Sequence, residues 1–274
     1  MPRGSTWSAS GSTTPRAPRP SRTSQSCSPN DGRHRVDGKH VLITGGAHGI
    51  GLAVARRLAA RKARIILHHH KTPMAVTKER AVELLRSGAP TVRLERADLT
   101  DPAELESMFD RIAGDRHVID ILVNSAGILV RKPLVDTEHA DWQQLFALNA
   151  IAPARCIRRA VILGCRHVVN VADIAADKAW KKHAAYIASK AALVALTRAA
   201  AVELAPQVRV NAVSPGLITV PHGMEDIYKG VEARIPAGRR GSVEDVARAI
   251  EMLLDSPAYV TGQIVAVDGG LSLR

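Results

Sequence analysis

From about residue 36 onward the sequence predicts one α/β domain, a doubly wound and mostly parallel seven-stranded sheet flanked by helices. Three observations predict it. Seven short runs rich in Val, Ile and Leu recur along the chain, and segments rich in helix formers separate them. Strands that alternate with helices favour a parallel sheet, because a parallel crossover needs a dozen or more residues. The first run ends in a cluster of glycines that opens directly into a helix former. A chain of 274 residues is long enough for a substantial core. With aromatics at 3%, that core must be built from Ala, Val, Leu and Ile.

Residues 1–35 differ in kind. They are rich in Ser, Thr, Pro and Arg and have no acidic residue before Asp31. Without apolar periodicity they read as a disordered tail, as an organelle transit peptide, or as the product of a misplaced start. The domain is therefore expected to span 36–274. Formal net charge is +12, of which the tail contributes +5 (six Arg against Asp31), leaving +7 for the rest. A basic surface favours anionic ligands. No nucleic-acid motif accompanies the charge, so a phosphate-bearing cofactor is the expected anion rather than nucleic acid. Cys27, Cys156 and Cys165 form no CxxC pair and suit a reducing compartment, so a cytoplasmic location is expected. No run approaches the ~18 apolar residues of a membrane span, and no membrane is expected as a partner.

The elements follow in order. Residues 39–43 (KHVLI) form a buried-strand pattern that runs into Thr44-Gly45-Gly46-Ala47-His48-Gly49-Ile50-Gly51 and then the helix former LAVARRLAARKA. Strand, glycine turn and helix make a phosphate cradle: glycines admit a pyrophosphate close to the backbone, and the helix N-terminus offers free N–H groups. Residues 63–67 (ARIIL) are a second strand ending in His68-His69-His70-Lys71-Thr72. An acidic residue here would take a ribose 2′-hydroxyl, and none is present. The basic and hydroxyl groups suit a 2′-phosphate instead. Consecutive histidines do not readily converge on one ion, so no metal is expected.

A helix over 74–87 leads to a strand over 91–96 (TVRLER), which ends at Ala97-Asp98-Leu99. Thr100, Pro102 and Glu104 signal a helix start. Residues 119–123 (IDILV) are a fourth strand, leading to Asn124-Ser125-Ala126-Gly127, and the segment 141–154 carries Asn149 in a helix. Residues 168–171 deliver Asp173, and Tyr186 and Lys190 follow on an Ala-rich helix. Four residues apart, the phenol and the ammonium share a helix face. That arrangement lowers a phenol pKa that starts near ~10 and makes Tyr186 a proton donor to a carbonyl or imine. Residues 208–213 (VRVNAV) run into Ser214-Pro215-Gly216-Leu217-Ile218-Thr219, residues 220–240 form a mobile lid, and a helix over 242–254 precedes a last strand over 263–267.

TGxxxGIG at 44–51, NSAG at 124–127 and YxxxK at 186–190 stand together in order and spacing. With them the chain resembles the short-chain dehydrogenase/reductase family across roughly 38–271. The resemblance implies a single Rossmann-type domain, a nicotinamide cofactor and a small-molecule substrate, as well as a homotetramer or homodimer. It also implies roles. Gly45, His48, Gly49, Ile50 and Gly51 would cradle the pyrophosphate, while His69, His70, Lys71 and Thr72 would meet a 2′-phosphate. Asp98 and Leu99 would sit at the adenine, with Asn124, Ser125, Ala126 and Gly127 walling the adenosine half and steadying the central sheet. Pro215, Gly216 and Ile218 would cover the nicotinamide. Tyr186 and Lys190 would be catalytic, and Asn149 would hold a water on the path from the lysine to solvent.

One position departs from the family pattern. Thirteen residues before the tyrosine the family has Ser; here it is Asp173. An ionised Asp only accepts hydrogen bonds, so it suits a substrate that presents N–H groups. Its repulsion of a phenolate, about 4 kcal/mol at ~4 Å and an effective dielectric near 20, should keep Tyr186 protonated. A neutral Asp173 that donates is the alternative. The pteridine reductase branch carries Asp at this position, and LHHHKT, NAIAP and TRAAAVELAP are similar to it as well. That branch has an Arg where this chain has Gly49 and an aromatic where it has Leu129; Trp180 stands in the loop before Tyr186 and can stack or sit at a surface. The expected function is an NADPH-dependent reductase of a pterin-like or other C=N or C=O substrate. A general carbonyl reductase and an inactive NADP(H)-binding sensor are the alternatives.

Overall fold

The computed structural model describes residues 36–114, 118–218 and 225–274. The expected tail, 1–35, lies outside the described residues, as do residue 219 and residues 220–224 of the expected lid.

Seven strands form the sheet: β1 (His40–Thr44), β2 (Arg64–His69), β3 (Val92–Arg96), β4 (Ile121–Asn124), β5 (His167–Val171), β6 (Arg209–Pro215) and β7 (Ile264–Val267). Their order is β3-β2-β1-β4-β5-β6-β7. Every neighbouring pair is parallel, so the sheet is wholly rather than mostly parallel. The strand order reverses between β1 and β4. In such sheets the crevice at the carboxyl ends of the strands, at that reversal, is where ligands bind.

Among the described residues, eight α-helices flank the sheet: α1 (Gly49–Ala60), α2 (Met74–Arg86), α3 (Pro102–Gly114), α4 (His139–Phe146), α5 (Ala152–Ile162), α6 (Ala184–Glu203), α7 (Glu225–Glu232) and α8 (Val243–Asp255). Side chains alternate across the sheet with a period of two. Val41, Ile43, Ile65 and Leu67 pack on one face with Val54 and Leu58 of α1 and with Val246, Ile250 and Leu254 of α8. Leu42, Ile66, Leu122 and Val168 pack on the other with Leu105, Phe109 and Ile112 of α3 and with Cys156 and Ile157 of α5. Each fully buried aliphatic side chain contributes roughly 1.5–3 kcal/mol. Across α1 and α8, Arg57 pairs with Glu244 at 2.5 Å and with Glu251, and Arg61 pairs with Asp255 at 2.7 Å. The α1 helix that carries the glycine turn is thereby held in place.

The expected helix over 141–154 is resolved into α4, a π-helical turn at Ala147–Ile151, and α5. Pro153 has no N–H for the carbonyl of Asn149 four residues before it, so the α-helical ladder is interrupted there. Among the described residues, α6 is long and apolar enough to cross a membrane by length and composition. It is nevertheless a core helix: Tyr186, Ser189, Lys190, Leu193 and Val194 are all buried against the rest of the domain.

Candidate active site

The cofactor-facing half starts from the end of β1. Gly45 donates its backbone N–H to Nδ1 of His68 at 3.1 Å, and Gly46 donates to the His68 carbonyl at 2.9 Å. His68 Nε2 lies 3.0 Å from the Ala97 carbonyl. Since Nδ1 accepts, the Nε2–H tautomer must be the one that donates to Ala97. A single neutral imidazole thus rivets the glycine turn to the ends of β2 and β3. It is 2% exposed, and burial lowers its pKa to about 4.

The run 68–72 is therefore divided. His69, expected at a 2′-phosphate, is buried on the opposite face from His68, as neighbouring strand residues must be. Its Nδ1 hydrogen-bonds the Thr72 carbonyl at 3.2 Å and holds the loop, so its role is structural. The surface end consists of half-exposed His70, exposed Lys71 and half-exposed Thr72. His70 Nε2 lies 3.8 Å from Asp98 Oδ2. Asp98 Oδ1 accepts from the Thr100 N–H at 2.9 Å and from its hydroxyl at 2.7 Å. Leu99 is a second correction: its side chain is buried against α3, leaving only its backbone for an adenine.

These residues fit a dinucleotide. A Cβ at Gly51 would stand 2.5 Å from the Gly45 carbonyl oxygen, so the turn closes only with glycine there. Gly49 has φ +55°, and nothing lies within 4 Å of where its Cβ would be. His48, the N-cap of α1, makes no side-chain cap, and the first turn has no acidic residue. First-turn N–H groups and the positive end of the helix dipole are thus free for a pyrophosphate.

The 124–127 turn is anchored from below. Thr44 Oγ1 accepts the N–H groups of Ser125 at 3.0 Å and Ala126 at 3.1 Å. Asn124, expected to wall the cofactor, is buried and donates to Asn170 Oδ1 at 2.9 Å, while Asn170 donates to Thr197 Oγ1 at 2.9 Å. The Asn124 side chain joins β4 to β5 and α6 instead of facing the cleft. Gly127 must be small: a Cβ would lie 3.2 Å from Asn149 Oδ1 and 3.5 Å from Lys190 Nζ.

At the reacting end, Asp173 caps the short 3-10 turn Ile174–Ala176, its Oδ1 accepting from the Ala175 N–H at 2.8 Å. The Tyr186 hydroxyl donates to Asp173 Oδ2 at 2.6 Å. Lys190 Nζ donates to the Val171 carbonyl at 2.9 Å, so the ammonium is engaged with the end of β5. The expected lowering of the phenol pKa by the ammonium does not prevail. Burial, then the Asp173 charge, raise Tyr186 well above 10. Burial also raises Asp173 and lowers Lys190. The phenol therefore stays protonated at neutral pH, as the Asp substitution predicts.

Asn149 sits in the π-helical turn and is fully buried. Its Oδ1 accepts from the Ile128 N–H at 3.0 Å, and its Nδ2 donates to the Ile128 carbonyl at 2.9 Å and to Ser189 Oγ at 3.0 Å. Both amide hydrogens are thus engaged with protein. The side chain fixes the segment after Gly127, so a water on the lysine's path would have to meet the main chain of Asn149 instead. Ser189, which the sequence reading passed over, passes this link on by donating to the Tyr186 carbonyl at 2.7 Å. It lies three residues after Tyr186 and so shares its helix face, a signal that was available.

A cavity of about 630 Å³ opens in front of Asp173 and Tyr186. Ser125, Gly127, Pro215, Gly216 and Ile218 line it together with Leu129, Trp180, Tyr228, Val231 and Leu271. Trp180 stands edge-on to His183 with ring centroids 6.1 Å apart.

Residues 45–272 match a family described as enoyl-(acyl carrier protein) reductase. A cis-4-hydroxycyclohexanecarboxylate dehydrogenase of Sinomonas cyclohexanicum is 35% identical over 240 residues, 84% of this chain and 95% of that protein. A 3-oxoacyl-[acyl-carrier-protein] reductase of Escherichia coli (strain K12) is 31% identical over 246 residues, 86% of this chain and 98% of that protein. The crystal structure of a short-chain type dehydrogenase/reductase from Mycobacterium marinum superposes with a TM-score of 0.80 at 30% identity, covering 87% of this chain and 97% of that one. The chain belongs to the short-chain dehydrogenase/reductase family. As a short-chain dehydrogenase/reductase it is an oxidoreductase that uses a nicotinamide cofactor. In this chain the hydrogen-bond partner of the tyrosine is a carboxylate, Asp173.

Proposed function

We propose that the protein is an NADPH-dependent reductase acting on a pterin-like or other C=N or C=O substrate, with Tyr186 as the proton donor. The observation that carries this reading is the 2.6 Å hydrogen bond from Tyr186 to Asp173. In this arrangement the tyrosine proton is already taken by an acceptor. A substrate must offer Tyr186 an acceptor and, beside it, offer Asp173 a donor that replaces the one it loses. An N–H group next to a C=N or C=O supplies both; a simple ketone supplies only the acceptor.

When bound, a reduced nicotinamide supplies a hydride, and with it two electrons, to the substrate carbon. The chain supplies the rest. Ser125, Gly127, Pro215, Gly216 and Ile218 confine the reacting part of the cavity. The Tyr186 O–H bond breaks as its proton passes to the substrate heteroatom, leaving a phenolate beside Asp173. That phenolate is costly next to a carboxylate, so it is reprotonated from solvent or through Lys190. The same repulsion disfavours the reverse reaction, which begins from phenolate.

Preference for NADPH is supported by the absence of an acidic residue over 68–72 and by the exposed ammonium of Lys71 beside His70. Trp180, on the cavity wall, supplies an aromatic face in place of the one absent at Leu129. The second reading, a general carbonyl reductase, is favoured by that same Leu129.

Asp173→Ser separates the two readings. It removes a charge-assisted hydrogen bond worth ~1.5–3 kcal/mol to an N–H-bearing substrate, and gives a ketone a hydroxyl that can donate. The ratio of kcat/KM for a dihydropterin to that for a ketone should fall by about tenfold to a hundredfold. A ratio that stays put, or moves toward the pterin, returns the protein to general carbonyl reduction.

A further inference from the structure

Apart from Asp173 and Lys190, the charge lining the cavity is not used by the hydride-transfer chemistry. Among the described residues, Arg131, Lys178, Lys181, Lys190, Arg234 and Arg274 line it, against one acidic side chain, Asp173. That carboxylate is already engaged by Tyr186 and the Ala175 N–H. The groove along α2, by contrast, balances Lys78 and Arg86 with Glu79 and Glu83.

Two of the cavity cations are already engaged. Lys190 donates to the Val171 carbonyl. Lys178 donates to the main-chain carbonyls of Leu271, at 3.2 Å, and Arg274. Arg131, Lys181 and Arg234 have no side-chain hydrogen bond or ion pair among the described residues. They are brought to the cavity by folding. The Lys132 N–H donates to the Lys182 carbonyl at 2.9 Å, joining the loop after β4 to the loop before α6, so that Arg131 and Lys181 flank the junction. That junction is stiffened: Lys132 Nζ is held by Asp141 at 2.7 Å, and His183 Nδ1 hydrogen-bonds the Lys181 carbonyl at 2.8 Å. Arg234 is delivered from beyond the C-terminal end of α7, where its N–H donates to the Val231 carbonyl at 3.0 Å.

Phosphates of a dinucleotide do not explain these cations. The groups that fit its phosphates, the glycine turn and His70–Thr72, lie on other segments, and of these only Ile50 lines the cavity. We propose that Arg131, Lys181 and Arg234 bind an anionic group, a carboxylate or a phosphate, carried by the substrate at the end remote from the bond that is reduced. The proposal rests on the reductase reading and specifies its substrate class. A guanidinium and an ammonium on adjoining loops can grip such an anion with charge-assisted hydrogen bonds, and the apolar wall of Leu129, Trp180 and Val231 takes the uncharged body between anion and reducible bond.

The test is calorimetric binding to the full-length NADPH-loaded protein, with turnover measured in parallel. Benzoate, methyl benzoate and phenyl phosphate are the binding probes; cyclohexanone and 4-oxocyclohexanecarboxylate are the substrates. Unmodified protein should bind at least one anionic probe about tenfold or more tighter than the neutral ester, with a preference that weakens in salt. Comparing benzoate with phenyl phosphate tells which anion the rim prefers. Arg131→Gln with Lys181→Gln should abolish the preference, Arg234→Gln should reduce it, and Arg131→Lys should retain part of it. Lys78→Gln, in the α2 groove, should change nothing. Equal binding of ester and anions, or a preference that survives the double variant, overturns the proposal. Turnover of cyclohexanone with no advantage for its carboxylate would overturn the anion rim while leaving the reductase reading standing. An anion preference lost in the variant, with no turnover of any carbonyl or dihydropterin, would do the reverse.

Discussion

The two halves of the cleft are built by opposite means. The cofactor-facing half is tied together by buried groups with few alternatives: His68 between Gly45 and Ala97, Thr44 under Ser125 and Ala126, and Asn149 on both main-chain groups of Ile128. The substrate-facing half is lined by Trp180, Lys181 and Arg234, all at least partly exposed and carried on loops or just beyond a short helix. The contrast teaches that the two tasks need different materials. A cofactor shared by a whole family can be met by a fixed, hydrogen-bonded frame. A particular substrate is met by exposed side chains that change without disturbing that frame. Asp173, Tyr186 and Lys190 stand where the halves meet, Tyr186 and Lys190 buried like the first and all three lining the cavity of the second.

The largest effect should come from breaking that meeting point. Tyr186→Phe keeps the ring and removes the transferable proton, so turnover should fall ~10²–10⁴-fold while NADPH affinity, measured by fluorescence titration, stays close to that of the unmodified protein. Unchanged turnover would show that Asp173 or water supplies the proton.

A second experiment probes the frame of the cofactor half through pH. The folded-state pKa of His68 is depressed from 6.5 to about 4, chiefly by burial. Between those values the unfolded chain binds a proton that the folded chain does not. The His68 contribution is thus complete above pH 6.5 and is lost as pH falls toward 4, by about 3 kcal/mol in all. Urea unfolding from pH 7 to pH 4 should show this loss, and His68→Gln should flatten that part of the profile. An identical profile in the variant would show that the rivet carries no proton linkage.

The smallest of the three effects sharpens the outer edge of the same half. Lys71→Glu should weaken NADPH binding by about tenfold to a hundredfold, the worth of one charge-assisted contact, and change NADH binding much less. Equal affinity for both cofactors in the unmodified protein would remove the basis for NADPH preference.

What the sequence by itself determined is what depends on neighbours within a few residues. Seven β-branched runs, the glycine turn at 45–51 and the four-residue spacing of Tyr186 and Lys190 are local patterns, and each local pattern dictates a local shape. Asp173 was legible as the odd residue of the site, and the direction of its effect on the phenol followed from its charge, although burial, which only folding supplies, is the larger cause. The sequence left open which way each member of a run points and what a polar side chain meets. Reading 68–72 as one basic run could not reveal that His68 enters the core, His69 braces its own loop, and only His70 to Thr72 reach the surface; strand alternation against packed helices decided that. Nor could the sequence reveal that the side-chain amide of Asn149 is taken by Ile128, 21 residues earlier. The cationic rim was invisible for the same reason. Arg131 and Lys181 are fifty residues apart in the chain, and only the pairing of two loops across the cavity mouth makes them neighbours. Tertiary structure decides such contacts because they arise from packing between distant elements, which no local periodicity encodes.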